Sequence, residues 1–185
     1  MKKLVVILDN GHGVDTKGKC APDKSIFEWD WTREIACMLY KQLILNGIDS
    51  ILLVPEDKTI SLGERVKREK NITRQAEQAG KDGKWKTARG WSVRVSPESS
   101  ENSKKLAQSL YAEAEARGLQ GDRYVPKEKY WIGDYTILND TSCPAVLTEN
   151  LFQDNKEDVE YLLSEKGKLE IVDLHFDAII NYMNS

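Results

Sequence analysis

The sequence predicts an α/β fold, a three-layer, mostly parallel twisted sheet flanked by helices, and three observations carry that expectation. Residues 4–8 form an unbroken β-rich apolar run, the pattern of a strand buried on both faces of a parallel sheet. An amphipathic stretch over residues 28–46 separates it from a second apolar run at 48–54, which makes a βαβ unit. Near the other end, a short run at 145–148 is again followed by helical periodicity. A length of 185 residues suits one domain, spanning residues 1–185.

Composition narrows the function classes. With 40% apolar and 31% charged residues, the chain can bury a core and lacks the signature of disorder. Lysine plus arginine number 27 against 30 acidic residues, a formal charge of −3, which argues against a nucleic-acid partner. The run at 4–8 is too short for the core of a secretory signal or for a membrane span, so neither is expected and synthesis in the cytoplasm is. Cys20, Cys37 and Cys143 are widely spaced with no Cys-x-x-Cys pair, which argues against a disulfide framework and a cysteine-type zinc site.

Taken in order, the first helix carries Trp31, Ile35, Met38 and Leu39 on one face and stops at Asn46-Gly47. Pro55 closes the second strand. Residues 56–86 are polar, and Leu62, Val66 and Ile72 predict a helix; its nine basic residues are offset by six acids, which reads as a solvated face. Trp91, Val93 and Val95 alternate with Ser92, Arg94 and Ser96, predicting a half-exposed strand over 90–96 near a sheet edge. Leu106, Ala107, Leu110 and Ala114 mark a helix ended by Arg117-Gly118, and 119–143 reads as loop with short structure. Asn155 and Asp158 have the spacing of a helix start, and Val172, Phe176, Ile179, Ile180 and Met183 give the apolar face of a terminal helix.

Two groups fall where open α/β sheets place their ligands, just past the carboxyl ends of strands. His12 follows the first strand between Gly11 and Gly13, and Glu149 follows the strand at 145–148. Glu28 stands at the start of the first helix, where the helix dipole favours a carboxylate, and its neighbours Phe27 and Trp29 give it apolar surroundings. Of the five tryptophans, Trp85 lies in a polar stretch and is the best candidate for stacking on a sugar ring. Arg89 precedes the strand at 90–96 and could grip a substrate carboxylate; a surface salt bridge explains it equally well.

The blocks Ile7-Leu8-Asp9-Asn10-Gly11-His12-Gly13, Glu28, and Pro144-Ala145-Val146-Leu147-Thr148-Glu149-Asn150-Leu151-Phe152 resemble the zinc-dependent N-acetylmuramoyl-L-alanine amidases of the amidase-3 type. Residues 88–93, 103–107 and 155–159 and the closing helix extend the likeness through most of the chain. The resemblance implies a monomeric hydrolase acting on peptidoglycan or muropeptide, cutting the amide between the muramic-acid lactyl group and L-alanine. It also implies that His12 and Glu28 are zinc ligands and that Glu149 is the catalytic glutamate. A zinc-activated water and a glutamate that shuttles its proton are consistent with that set. Without a signal, such an enzyme would reach the bacterial cell wall by export or by release on lysis.

One block departs from the pattern. The family's third zinc ligand is a histidine in an apolar-Ser-apolar-His-x-Asn-Ala strand, expected between Asn71 and Trp85, where this sequence has neither histidine nor strand. The matching blocks on both sides are intact, so the sequence predicts a sheet short of one central strand, lower stability and weak, substoichiometric zinc. Asp9, Asp15 and Cys20 could donate the missing ligand, and no spacing rule selects among them. His175, near the border of the last helix's apolar face, reads as a packing residue. The alternative function is a degenerate relative that binds peptidoglycan without cutting it. A nucleotide-binding domain is disfavoured, because there is no Gly-x-Gly-x-x-Gly and no Walker-type lysine.

Overall fold

The computed structural model describes residues 5–70, 84–122, 124–140 and 142–185. The predicted gap, apart from Lys84 and Trp85, lies outside the described residues, as do Leu4 and Ile72. The fold is α/β. In chain order the elements are β1 (Val5–Leu8), α1 (Glu28–Leu45), β2 (Asp49–Leu52), α2 (Leu62–Lys70), β3 (Ser92–Val95) and α3 (Glu101–Ala116). They continue with β4 (Trp131–Ile132), α4 (Thr136–Asn139), β5 (Leu147–Glu149), α5 (Lys156–Leu163) and α6 (Glu165–Met183).

Helix α1 forms because Trp31, Ile35, Leu39 and Leu43 recur every fourth residue and are all buried. Each such side chain contributes roughly 2 kcal/mol by leaving water. Gly47, at φ +75°, ends the helix in the left-handed conformation that a β-carbon disfavours. Helices α1 and α3 both pack on α6, and the Ser109 hydroxyl donates to the Ala178 carbonyl at 2.8 Å across the α3–α6 seam. The Trp31 indole donates to the Leu162 carbonyl at 2.8 Å and ties α1 to α5. The expected cap of α5 is present, since the Asn155 side chain accepts from the Asp158 N–H at 3.1 Å.

Strands β1 and β2 pair in parallel from Val5 with Asp49 to Leu8 with Leu52. A second sheet has the order β4-β3-β5, with β4 parallel and β5 antiparallel to β3. Two sequence expectations are corrected here. Strand β3 is central in its sheet, not near an edge, and Trp91, Ser92, Val93 and Val95 are fully buried; serine is small enough to be covered, and the Arg94 guanidinium rests over the Tyr135 ring. Strand β1 is not buried on both faces, since Val5 is 43% exposed and β1 pairs only with β2 among the described residues.

The two sheets are separated by a cleft of about 450 Å³ lined by β1 on one side and β5 on the other, with Leu39, Leu110 and Ile179 beneath. No described strand bridges the facing edges. Among the described residues the strands therefore form two separate sheets, and the stretch where the sequence departs from the family pattern lies mostly outside them.

Candidate active site

His12 stands four residues beyond the end of β1, on a turn fixed from three directions. Gly13 lies so close to the neighbouring loop that an added β-carbon would sit 2.0 Å from the Thr59 nitrogen. The Asn10 side chain donates to the Val54 carbonyl at 3.1 Å. Arg65, nearly fully buried, pairs with Asp9 at 2.5 Å and donates to the Asn10 carbonyl at 2.9 Å. Burial raises the Asp9 carboxyl to about 6, against the opposing pull of Arg65, Arg33 and His12. His12 itself takes φ +55°, which is uncommon for a residue with a β-carbon.

Glu28 is the first residue of α1, where the helix dipole favours its charge. Its Oε1 lies 3.1 Å from His12 Nε2 and its Oε2 lies 3.6 Å from the Nζ of Lys19, a buried lysine. Burial pushes the Glu28 carboxyl up, but contact with His12 and the Lys19 ammonium outweighs it, and the group sits below its ordinary value. The His12–Glu28 approach has the distance of an ion pair but not the alignment of a hydrogen bond. His12 Nε2 is therefore a buried nitrogen with no hydrogen-bond partner.

Glu149 ends β5, held by register against Ser92 of β3. Its neighbour Asn150 accepts from the Trp91 indole at 2.7 Å, and the Phe152 N–H donates to buried Asp158 at 3.1 Å, so the chain leaving β5 is anchored on both sides. Glu149 lines the same cleft as His12 and Glu28. The three side chains line one cleft, and each stands just past a strand, at a strand's end or at a helix start.

An orphaned imidazole nitrogen converging with a carboxylate suits two ligands of one metal ion. The described residues provide no third: among them, no three histidine, cysteine, aspartate or glutamate side chains gather closely enough to hold a metal. Two of the substitutes suggested by the sequence are engaged elsewhere. Asp9 is paired with Arg65, and Asp15 is exposed and accepts from the Thr59 N–H and hydroxyl. Cys20 keeps a free thiol, while its backbone forms a short bridge with Phe27. The donor set among the described residues is thus short of a zinc site.

Of the remaining candidates, Arg89 and Trp85 lie outside the cleft lining, whereas His175 is part of it. Arg89 pairs with Glu157 at 2.5 Å and approaches Asp158 at 3.6 Å, and Trp85 is 38% exposed. His175 is half-buried, edge-on to Trp91 at 6.0 Å; its Nδ1–H donates to the Ile171 carbonyl at 2.7 Å, so Nε2 accepts from the Thr148 hydroxyl at 3.2 Å. Burial lowers its pKa below the ordinary value. Sequence reasoning missed Lys19, Arg33 and Arg65, since basic residues in polar or amphipathic stretches read as solvated. No periodicity marks a cation whose partners are loop carbonyls.

Residues 6–181 match the N-acetylmuramoyl-L-alanine amidase family. The chain is similar in structure to an N-acetylmuramoyl-L-alanine amidase from Clostridium difficile 630, with a TM-score of 0.81, 21% identity, and coverage of 100% of this chain and 99% of that one. It is likewise similar to an N-acetylmuramyl-L-alanine amidase from Mycobacterium smegmatis, with a TM-score of 0.81, 17% identity, and coverage of 98% and 97%. A stretch of 51 residues is 39% identical to an endolysin of Bacillus phage SPP1, spanning 28% of this chain and 19% of that protein.

Proposed function

Because the chain belongs to the N-acetylmuramoyl-L-alanine amidase family, we propose that it hydrolyses peptidoglycan at the amide between N-acetylmuramic acid and the L-alanine of the stem peptide. The observation that carries this reading is the convergence of His12, Glu28 and Glu149 on one cleft. Glu149 is the proton shuttle: its carboxylate takes a proton from the attacking water and returns one to the departing amine of alanine. His12 and Glu28 are the residues that would hold zinc, which when bound supplies a Lewis acid at the scissile carbonyl. With two donors among the described residues, low affinity and substoichiometric occupancy are expected. Among the described residues no helix is long and apolar enough to cross a membrane. Likeness to a phage endolysin supports action on the cell wall after release by lysis.

A second reading, binding of muropeptide without cleavage, is favoured by the short donor set alone. The two are separated by incubating a muramyl peptide with the wild-type chain and with Glu149→Gln, then weighing the products by mass spectrometry. Free stem peptide from the wild type and none from the variant supports the amidase. Binding by both with no cleavage by either supports the second reading.

A further inference from the structure

Beside Arg65, which bonds the Asn10 carbonyl, a second buried arginine, Arg33, bonds the carbonyl of His12 itself. A guanidinium has five N–H donors, and here all five are spent on backbone carbonyls. Nη2 donates to His12 O at 3.0 Å and to Glu56 O at 2.6 Å; Nε donates to Glu56 O at 3.0 Å. Nη1 donates to Trp29 O at 2.7 Å and, more weakly, to Gly11 O at 3.5 Å. Among the described residues no carboxylate lies within ion-pair distance of Arg33, and its charge rests instead over the Trp29 ring at 5.7 Å. A buried cation whose hydrogen bonds all go to carbonyls, with Asp57, Glu56 and Asp30 acting on it only at longer range, is an unusual use of arginine, because burial disfavours charge unless the surrounding dipoles are aimed at it.

Two features tie this arrangement to the cleft. His12 occupies the left-handed region at φ +55°, a conformation that persists only where its surroundings impose it, and the carbonyls on either side of its α-carbon are those Arg33 holds. Arg33 also shares α1 with Glu28, whose carboxylate touches the His12 ring, so one helix grips both ends of the histidine. We infer that Arg33 is the positioning residue of this site: it fixes the strained His12 backbone so that the imidazole meets Glu28. Lysine cannot replace it, since one ammonium cannot span the 10–13 turn, the 56 loop and the start of α1 together.

The inference deepens the amidase reading, and its test does not depend on turnover. In Arg33→Ala, the His12 ring resonances in a histidine-selective nitrogen NMR spectrum shift or broaden. Zinc affinity measured by titration falls by about tenfold or more, the usual effect of removing a supporting residue behind a metal ligand. Millimolar methylguanidinium restores both, while urea, a neutral molecule of similar shape, does not. Arg33→Lys, which retains the charge and serves if the alanine variant does not fold, shows the same ring shift without rescue by lysine's own charge. A folded Arg33→Ala or Arg33→Lys protein with wild-type His12 resonances and zinc affinity overturns the inference. Absence of peptidoglycan cleavage by the wild type, with these resonances still dependent on Arg33, would count against the amidase reading alone.

Discussion

Neutralising Glu28 tests the electrostatic construction of the site. Lys19 is 6% exposed, and Glu28 is its sole ion-pair partner among the described residues, at 3.6 Å. At an effective dielectric near 20, that separation corresponds to roughly 5 kcal/mol of gross attraction. Glu28 is 28% exposed, so water screens part of the attraction, and the desolvation of both ions offsets more. A net loss of about 2 kcal/mol is therefore expected in Glu28→Gln, most of it from leaving a buried ammonium unpaired. Urea unfolding at neutral pH reads this as a lower midpoint with an unchanged slope. Pairing the change with Lys19→Met removes the stranded charge, and the double variant should recover at least half of the loss. A Glu28→Gln protein within about 0.5 kcal/mol of wild type would refute the reasoning, because exposed pairs are worth that little.

Three further outcomes follow from the geometry. Gly13→Ala places a β-carbon 2.0 Å from the Thr59 nitrogen and should cost about 2 to 3 kcal/mol in urea unfolding while displacing His12. His175 has a folded pKa below its ordinary 6.5, so the unfolded chain takes up the proton first on acidification. Its contribution is complete above about pH 6.5 and is lost as pH falls through the lower folded value, by at most about 1.4 kcal/mol per pH unit; thermal melts of His175→Gln should show a flatter acid limb than wild type. Insertion of an apolar-Ser-apolar-His-x-Asn-Ala block after Thr73 should raise both zinc occupancy, read by elemental analysis, and melting temperature, because it offers an imidazole and a strand for the cleft between β1 and β5. An inert insertion contradicts that account of the cleft.

Much of this fold is legible in the sequence where a single physical signal dominates. The apolar run before His12, the helical face of Trp31, Ile35, Met38 and Leu39, and the Asn155 cap all reappear as β1, α1 and the start of α5. Burial of β3 is not legible, because alternating serines look solvent-facing while Ser92 is covered through its small size. The exposure of Val5 is not legible either, because it depends on how many strands flank β1, which has one partner among the described residues. At the site, His12, Glu28 and Glu149 are marked by strand ends and a helix start. The charges behind them are not: Lys19, Arg33 and Arg65 become visible only once loop carbonyls and carboxylates have been folded around them.

The most direct measurement is release of new alanine amino termini from purified peptidoglycan, with zinc added and with a chelator in parallel. The account predicts release that depends on zinc, is suppressed by chelation, and is absent in Glu149→Gln. No release from a folded, zinc-supplemented sample would contradict it, and would leave the chain a binder of the wall.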